Sequence, residues 1–265
     1  MALELSVDGH SIFAATGGAD FDPALPTIIF IHGASMDRSV WAVQARYFAH
    51  RSYGVLAVDL PGHGKSQGAL LPSIGDIADW VMRLMDAAGV KTAVLAGHSM
   101  GSLPVLEAAA RYPERVERAI MLGISVPMMV ADALLDNAEA NNSAAHDMVN
   151  IWGHSMTAQI GGNTAPGIWR TGGGLRLLER GGDGVLHNDM KACNDYTTGL
   201  EAAAKVACPA TLILGDGDMM TPPKRARDLM AALPDARMIV LKGCGHMMMS
   251  EQPNETLDAM IAALK

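Results

Sequence analysis

The stretch Leu95-Ala96-Gly97-His98-Ser99-Met100-Gly101-Ser102 carries the sharpest chemical signal in the chain. A Gly-x-Ser-x-Gly pattern that follows a strand and opens a helix is the setting in which a serine becomes a nucleophile. The tight turn forces the serine into a strained backbone conformation, and glycines two before and two after leave room for the close approach. The hydroxyl then stands clear of the sheet. The free N–H groups of the new helix face the negative charge that develops on an attacked carbonyl. The chain contains its own control. Gly153-His154-Ser155-Met156 repeats the four letters, but residue 157 is Thr where Gly is required, and Asn150-Ile151-Trp152 is a poor strand. Ser155 is therefore read as structural, in a segment that roofs a pocket.

Such a serine needs a base and an orienting carboxylate. Nine histidines compete for the first role. His246 lies in Lys242-Gly243-Cys244-Gly245-His246, a glycine-punctuated turn after the last strand-like run, and loops at the C-terminal ends of parallel strands hold ligand chemistry. His32 ends a buried run and reads as a prop for the following loop. His98 should point away from the Ser99 hydroxyl. His63, in Asp59-Leu60-Pro61-Gly62-His63-Gly64-Lys65-Ser66, reads as part of a surface turn. Asp216 and Asp218 both follow the run Thr211–Leu214, and spacing alone does not choose between them.

The elements that must position these residues alternate. Strand-like runs fall at Ile12–Ala15, Thr27–His32, Gly54–Asp59, Thr92–Ala96, Val116–Leu122, Ala210–Leu214 and Arg237–Leu241. Between them lie helical patterns at Val40–His50, Ile74–Ala88, Gly101–Arg111, Pro222–Ala232 and Pro253–Ala263. Continuous apolar strands among amphipathic helices read as a mostly parallel sheet covered on both faces. From about Ser125 to Thr198 the alternation stops. Val130–Val149 and Asp183–Tyr196 read as helical, with Gly161-Gly162, Gly172–Gly174 and Gly181-Gly182 as a loop-rich middle, so this segment reads as a helical insertion.

Composition narrows the function. Twenty Lys plus Arg against 28 Asp plus Glu give a net charge of −8 over 265 residues, which disfavours nucleic-acid binding. No apolar run is long enough to span a membrane, and MALELSVDGH reads as no signal peptide, so a cytoplasmic location is expected. Cys193, Cys208 and Cys244, odd in number and far apart, read as free thiols. Gly64-Lys65-Ser66 imitates the end of a phosphate-binding loop, but Asp59 stands where its first glycine belongs. The 19 methionines are unusual, and nine flank the motifs: Met36, Met100, Met128, Met129, Met219, Met220, Met247, Met248 and Met249. They predict a soft apolar pocket short of aromatic rings.

Phe30-Ile31-His32-Gly33, the D-x-x-G-x-G-x-S stretch from Asp59, the turn at Ser99, Gly215 to Pro222 and Gly245-His246 together resemble the α/β-hydrolase superfamily, in its cap-bearing serine esterase form, over nearly the whole chain. The resemblance implies an α/β fold with a mostly parallel eight-stranded sheet flanked by helices and a helical cap inserted after the sixth strand. Residues 1–124 and 199–265 would form the core, and 125–198 the cap. It selects Asp218 over Asp216, giving a triad of Ser99, Asp218 and His246, with the backbone N–H groups of Ala34 and Met100 as oxyanion hole. No metal or organic cofactor is implied. The expected activity is hydrolysis of carboxylic esters of small to medium apolar acyl groups. Enol-lactonases, carbon–carbon bond hydrolases, cofactor-free perhydrolases or haloperoxidases and a non-catalytic ligand receptor are the alternatives. Ser99 argues against the Asp and Cys nucleophiles of related dehalogenases and dienelactone hydrolases.

The pocket should lie between sheet edge and cap, lined from Ser35, Met36, Asp37, Trp41, Met128, Met129, Trp152, His154, Trp169 and Met247, with Met128 and Met129 ranked first. Asp37 could meet a substrate donor but reads first as a salt-bridge partner of a local Arg such as Arg38 or of a neighbour in the cap. No Arg/Lys pair in the insertion is suited to a carboxylate, which favours a neutral ester or lactone substrate. The expected partner is that small molecule alone, with no nucleic acid or membrane, on a monomer or homodimer.

Overall fold

In the computed structural model, which describes residues 1–162 and 169–265, the buried apolar runs form the centre of one eight-stranded sheet. Its strands are β1 (Ala2–Val7), β2 (His10–Ala15), β3 (Thr27–Ile31), β4 (Gly54–Val58), β5 (Ala93–His98), β6 (Val116–Leu122), β7 (Ala210–Gly215) and β8 (Ala236–Leu241). Their order is β1-β2-β4-β3-β5-β6-β7-β8. The β1–β2 and β2–β4 pairs are antiparallel, and every pair from β4 to β8 is parallel. Strands β3, β4 and β5 are buried at every position because helices cover both faces. β1 has no counterpart in the expected runs. Its signal was present, since Leu3, Leu5 and Val7 alternate with Glu4 and Ser6, and Asp8-Gly9 closes a two-residue hairpin in the left-handed region.

The period of two in β3 sorts the core. Ile28 and Phe30 face one side, where α1 (Ala42–Ala49) packs, and Ile29 and Ile31 face the other, beneath α2 (Ile74–Ala87) and α3 (Ser102–Arg111). The Ser73 side chain caps α2 by accepting the Asp76 N–H at 3.1 Å, and Ile77, Val81, Leu84 and Met85 form its buried stripe.

Between β6 and β7 the chain leaves the sheet and builds α4 (Asp132–Glu139), α5 (Ser143–Gly153), α6 (Met156–Gln159), α7 (Arg170–Glu179) and α8 (Val185–Asp195). The short α9 (Gly199–Ala203) returns to pack on α3 and on α10 (Arg227–Ala232), and α11 (Met248–Glu251) and α12 (Pro253–Ala263) close the chain. The run expected to be helical over Val130–Val149 breaks at Asn141, which has φ +52°, and Asn142 caps α5 by accepting the Ala144 N–H at 3.0 Å. Gly172–Gly174, expected in a loop, lie inside α7. A Cβ on Gly172 would strike the Trp169 ring, and one on Gly174 would strike Asn150 and His154. Gly174 therefore lets α7 approach the end of α5 and Gly172 makes room for the Trp169 ring, each at a helix penalty of roughly 1 kcal/mol. A Cβ on Gly173 would meet nothing within 4 Å. No helix among the described residues is long and apolar enough to cross a membrane.

Candidate active site

Ser99 leaves β5 at φ +53°, in the left-handed region that a side-chain-bearing residue rarely adopts. The flanking glycines permit the turn: a Cβ on Gly97 would collide with the Gly101 carbonyl, and one on Gly101 with the carbonyls of Ile31 and His32. Ser102 Oγ donates to the Ser99 carbonyl at 2.5 Å as the turn passes into α3.

His246 and Asp218 meet below the same opening, from the loops after β8 and β7. His246 Nδ1 donates to Asp218 Oδ2 at 2.7 Å, with the residues only 2% and 3% exposed. Asp218 is saturated with donors: Oδ1 accepts the Met220 and Thr221 N–H groups at 2.8 Å, and Oδ2 also accepts from Thr221 Oγ1 at 2.7 Å. Burial would push the Asp218 carboxyl up, but His246 and the Thr221 hydrogen bonds together hold it down at about 2. Asp216 lies exposed and braces the turn before the histidine by accepting the Gly243 N–H at 2.6 Å. Geometry thus separates two aspartates that spacing could not. His246 Nε2 is buried and has no hydrogen-bond partner among the described residues, and it borders the pocket into which Ser99 opens.

Two further histidines support these loops. His98 Nε2 donates to the His246 carbonyl at 2.9 Å, and burial together with the neighbouring His246 ring lowers its pKa to about 3. His32 Nδ1 donates to the Gly33 carbonyl at 2.9 Å, and its Nε2 accepts the Leu60 N–H at 3.1 Å. Burial and the adjacent His63 lower its pKa to about 4, so it is a neutral prop. Asp59 accepts the Lys65 N–H at 2.9 Å and pairs with Arg38, so the imitation of a phosphate loop is a turn built around a carboxylate.

The pocket shared by Ser99 and His246 holds about 400 Å³. Of the expected lining, Met128, Met129 and Trp152 border it, as does Ala34, whose N–H has no acceptor among the described residues. Met100 is fully buried directly after the serine. The other expected lining residues lie elsewhere. Trp41 packs on Phe30, with ring centroids 5.1 Å apart, in the core cluster on the α1 side of the sheet. Met36 is core, because the loop after β3 turns its side chain inward. Ser35 and Asp37 bond to the insertion, Asp37 through Arg180 at 2.7 Å. His154 is buried and donates from Nδ1 to the Asn150 carbonyl at 2.8 Å. Trp169 and Met247 border a separate cleft along α7. His63, expected in a surface turn, is 3% exposed because α8 covers it.

Sequence reasoning missed Met190 and Cys193 of α8, Met219 and Met220, Thr221 and Arg225, all of which border the pocket. Met219 and Met220 are among the motif-flanking methionines that predict a soft apolar pocket, although neither is named among its expected lining residues. Thr221, beside the aspartate, carried a readable signal: a hydroxyl three residues after an N-terminal carboxylate can return to it.

The profile of the Alpha/beta hydrolase family matches residues 28–259. The chain is 24% identical over 245 residues to (E)-2-((N-methylformamido)methylene)succinate hydrolase of Acinetobacter baylyi, covering 90% of each chain. It is 26% identical over 252 residues to the pimeloyl-[acyl-carrier protein] methyl ester esterase of Nitrosospira multiformis, covering 87% of this chain and 91% of that one. The crystal structure of the enol-lactonase from Burkholderia xenovorans LB400 superposes with a TM-score of 0.82 at 21% identity, over 99% of both chains. With a family profile spanning most of its length and this fold, the chain belongs to the alpha/beta hydrolase family.

Proposed function

We propose that the protein is a serine hydrolase that cleaves carboxylic esters of small to medium acyl groups through an acyl-enzyme. One observation carries the reading: Ser99, strained at φ +53°, shares a pocket with a histidine whose Nδ1 is held by Asp218 and whose Nε2 is left without a partner. His246 Nε2 takes the Ser99 proton as the hydroxyl oxygen attacks the carbonyl. Asp218 keeps the proton of the ring on Nδ1 and supports its positive form. The N–H groups of Ala34 and Met100 receive the oxyanion. The tetrahedral adduct collapses as His246 protonates the leaving alkoxide, and a water deprotonated by the same ring releases the acid. No step calls for a metal or an organic cofactor.

Met128, Met129, Met190, Met219 and Met220 give the pocket soft apolar walls suited to an acyl chain. Arg225 is its one permanent cation and has no carboxylate within ion-pair distance among the described residues. That favours, as a second reading, an ester or lactone whose far end bears a carboxylate. It modifies the expectation of a neutral substrate, which considered only the insertion and not the segment after β7. The name of one relative, the hydrolase of a succinate derivative, is compatible with such a chain end.

The test is a panel of p-nitrophenyl esters, lactones and vinylogous diketones, each with and without a terminal carboxylate, assayed on wild type and Ser99→Ala. Ester turnover that disappears in the variant, with fluorophosphonate labelling of Ser99 in the wild type, supports the proposal. Undiminished turnover by the variant sinks it, and tight retention of a ligand without turnover favours a receptor. Preferred cleavage of lactones or diketones moves the assignment to those classes.

A further inference from the structure

The loop bearing the proposed oxyanion donor Ala34 is held from the insertion side. Ser35, left-handed at φ +53°, sends its N–H to Asp189 Oδ2 at 2.8 Å and its Oγ to the Leu178 carbonyl at 3.2 Å. Asp189 lies on α8 and is 1% exposed. The same Oδ2 accepts from His63 Nε2 at 2.9 Å, while His63 Nδ1 faces the Pro61 carbonyl at 3.0 Å. Both ring nitrogens face acceptors, so both carry protons and the ring is an imidazolium. Burial opposes that charge, but the Asp189 carboxylate outweighs it and raises the pKa of the ring. The other titratable groups facing it are Asp59, from the loop after β4, and the His32 ring, 4.9 Å away between centroids. His32 is already committed to Gly33 and Leu60 and adds no charge.

A buried ion pair of this kind adds little net stability over apolar side chains of the same size, so its value lies in fixing a geometry. What it fixes here is one carboxylate oxygen, held on the core by His63 and aimed at the peptide next to Ala34. We infer that Asp189 is a positioning residue: the insertion, once seated through the His63–Asp189 pair, orders the oxyanion loop through the Ser35 N–H. The catalytic half of this inference rests on the serine hydrolase reading; the ordering of the loop does not.

Asp189→Asn preserves size and removes the charge. In the folded variant, amide hydrogen exchange of Ser35 should accelerate by about tenfold or more, as its acceptor weakens. With p-nitrophenyl butyrate, kcat should fall about 10- to 100-fold while KM stays within about threefold, a loss short of deleting one oxyanion donor. Affinity for an alkyl trifluoromethyl ketone, which forms a tetrahedral adduct, should fall by the same factor as kcat. Lys191→Gln, on the exposed side of the same helix, should change none of these. Unchanged Ser35 exchange overturns the clamp, and faster exchange with unaltered kcat and ketone affinity overturns the positioning role. Equal effects from Lys191→Gln overturn both, because any disturbance of α8 would then suffice. If Ser99→Ala keeps the esterase activity, the functional reading fails, yet the exchange result still decides the clamp. Should Asp189→Asn not fold, nitrogen-15 NMR of wild-type His63 decides instead: a doubly protonated ring at pH 7 supports the clamp and a neutral ring at pH 6 overturns it.

Discussion

Two copies of Gly-His-Ser-Met stand in this chain, at residues 97–100 and 153–156, and they fold into different objects. In the first, a buried strand ends one residue before the serine, and Gly97 and Gly101 let the chain double back with Ser99 at φ +53°. In the second, Ser155 sits at φ −60° and ψ 154° and caps α6, its Oγ accepting the Ala158 N–H at 3.2 Å. The first serine opens on the pocket, whereas the second uses its oxygen on its own helix. The histidines differ likewise. His98 donates to the His246 carbonyl, and His154 donates to Asn150 within the insertion. Yet both copies grip the loop of His246. The Gly153 carbonyl accepts the Met247 N–H at 2.9 Å, and the Ser155 N–H reaches Glu251 Oε2 at 3.2 Å, where the Gly245 N–H also binds. The comparison teaches that four letters confer no role. The strand before and the glycine after make a strained turn whose serine opens on the pocket, and their absence leaves a helix cap that latches the insertion to the core.

The sharpest way to break this contrast is to exchange the serines for alanine. Ser99→Ala should lower kcat for a p-nitrophenyl ester by about 10⁵-fold or more, whereas Ser155→Ala should leave it within about threefold. Fluorophosphonate labelling followed by peptide mapping should find Ser99 alone; a labelled Ser155 would erase the distinction. Next in size, Asp218→Asn should lower kcat by up to about 10⁴-fold by releasing the Nδ1 tautomer. Asp216→Asn, which disturbs only the turn at Gly243, should cost far less, and equal losses would mean that the two aspartates are not functionally separated by geometry.

The pH dependence of stability gives a smaller effect of defined sign. The Asp218 carboxyl, held at about 2 in the folded protein, is depressed from its unfolded value, so its stabilisation is full above about pH 4 and fades as pH falls towards 2. Urea midpoints measured from pH 5 to 2.5 should fall less steeply in Asp218→Asn than in wild type. Smallest of all, Ser155→Ala should lower stability by about 1 kcal/mol, the usual value of an N-cap, read from urea unfolding. A change in ester turnover larger than that in stability would instead give the second copy a role at the active site.

Much of the fold was legible because its rules are local. Strands β3 to β7 are short apolar runs that only a sheet covered on both faces would bury, and the helix over Ile74–Ala87 announced its stripe by spacing of three and four. The break at Asn141-Asn142 and the helical Gly172–Gly174 were less legible. In the latter, Gly172 and Gly174 answer to the Trp169 ring and to Asn150 and His154, neighbours that the local pattern does not name. Pocket residues were the least legible, because their direction depends on how the insertion seats. Met128 and Met129 lie on the segment that leaves β6, six and seven residues past its end, and were found; Met190 and Cys193, on α8, were not.

By itself the sequence determined the turn at Ser99, the chain order of serine, aspartate and histidine, and the presence of a helical insertion. Backbone sterics, glycine and hydrophobic periodicity act within a few residues, and they are written in the order of the letters. Tertiary structure alone decided that His63 is buried, that Ser35 binds the insertion, which of the readable partners Asp37 takes, and that Asp216 braces a turn. Those outcomes turn on distances of about 3 Å between residues as many as 154 positions apart, set by close packing of the whole chain.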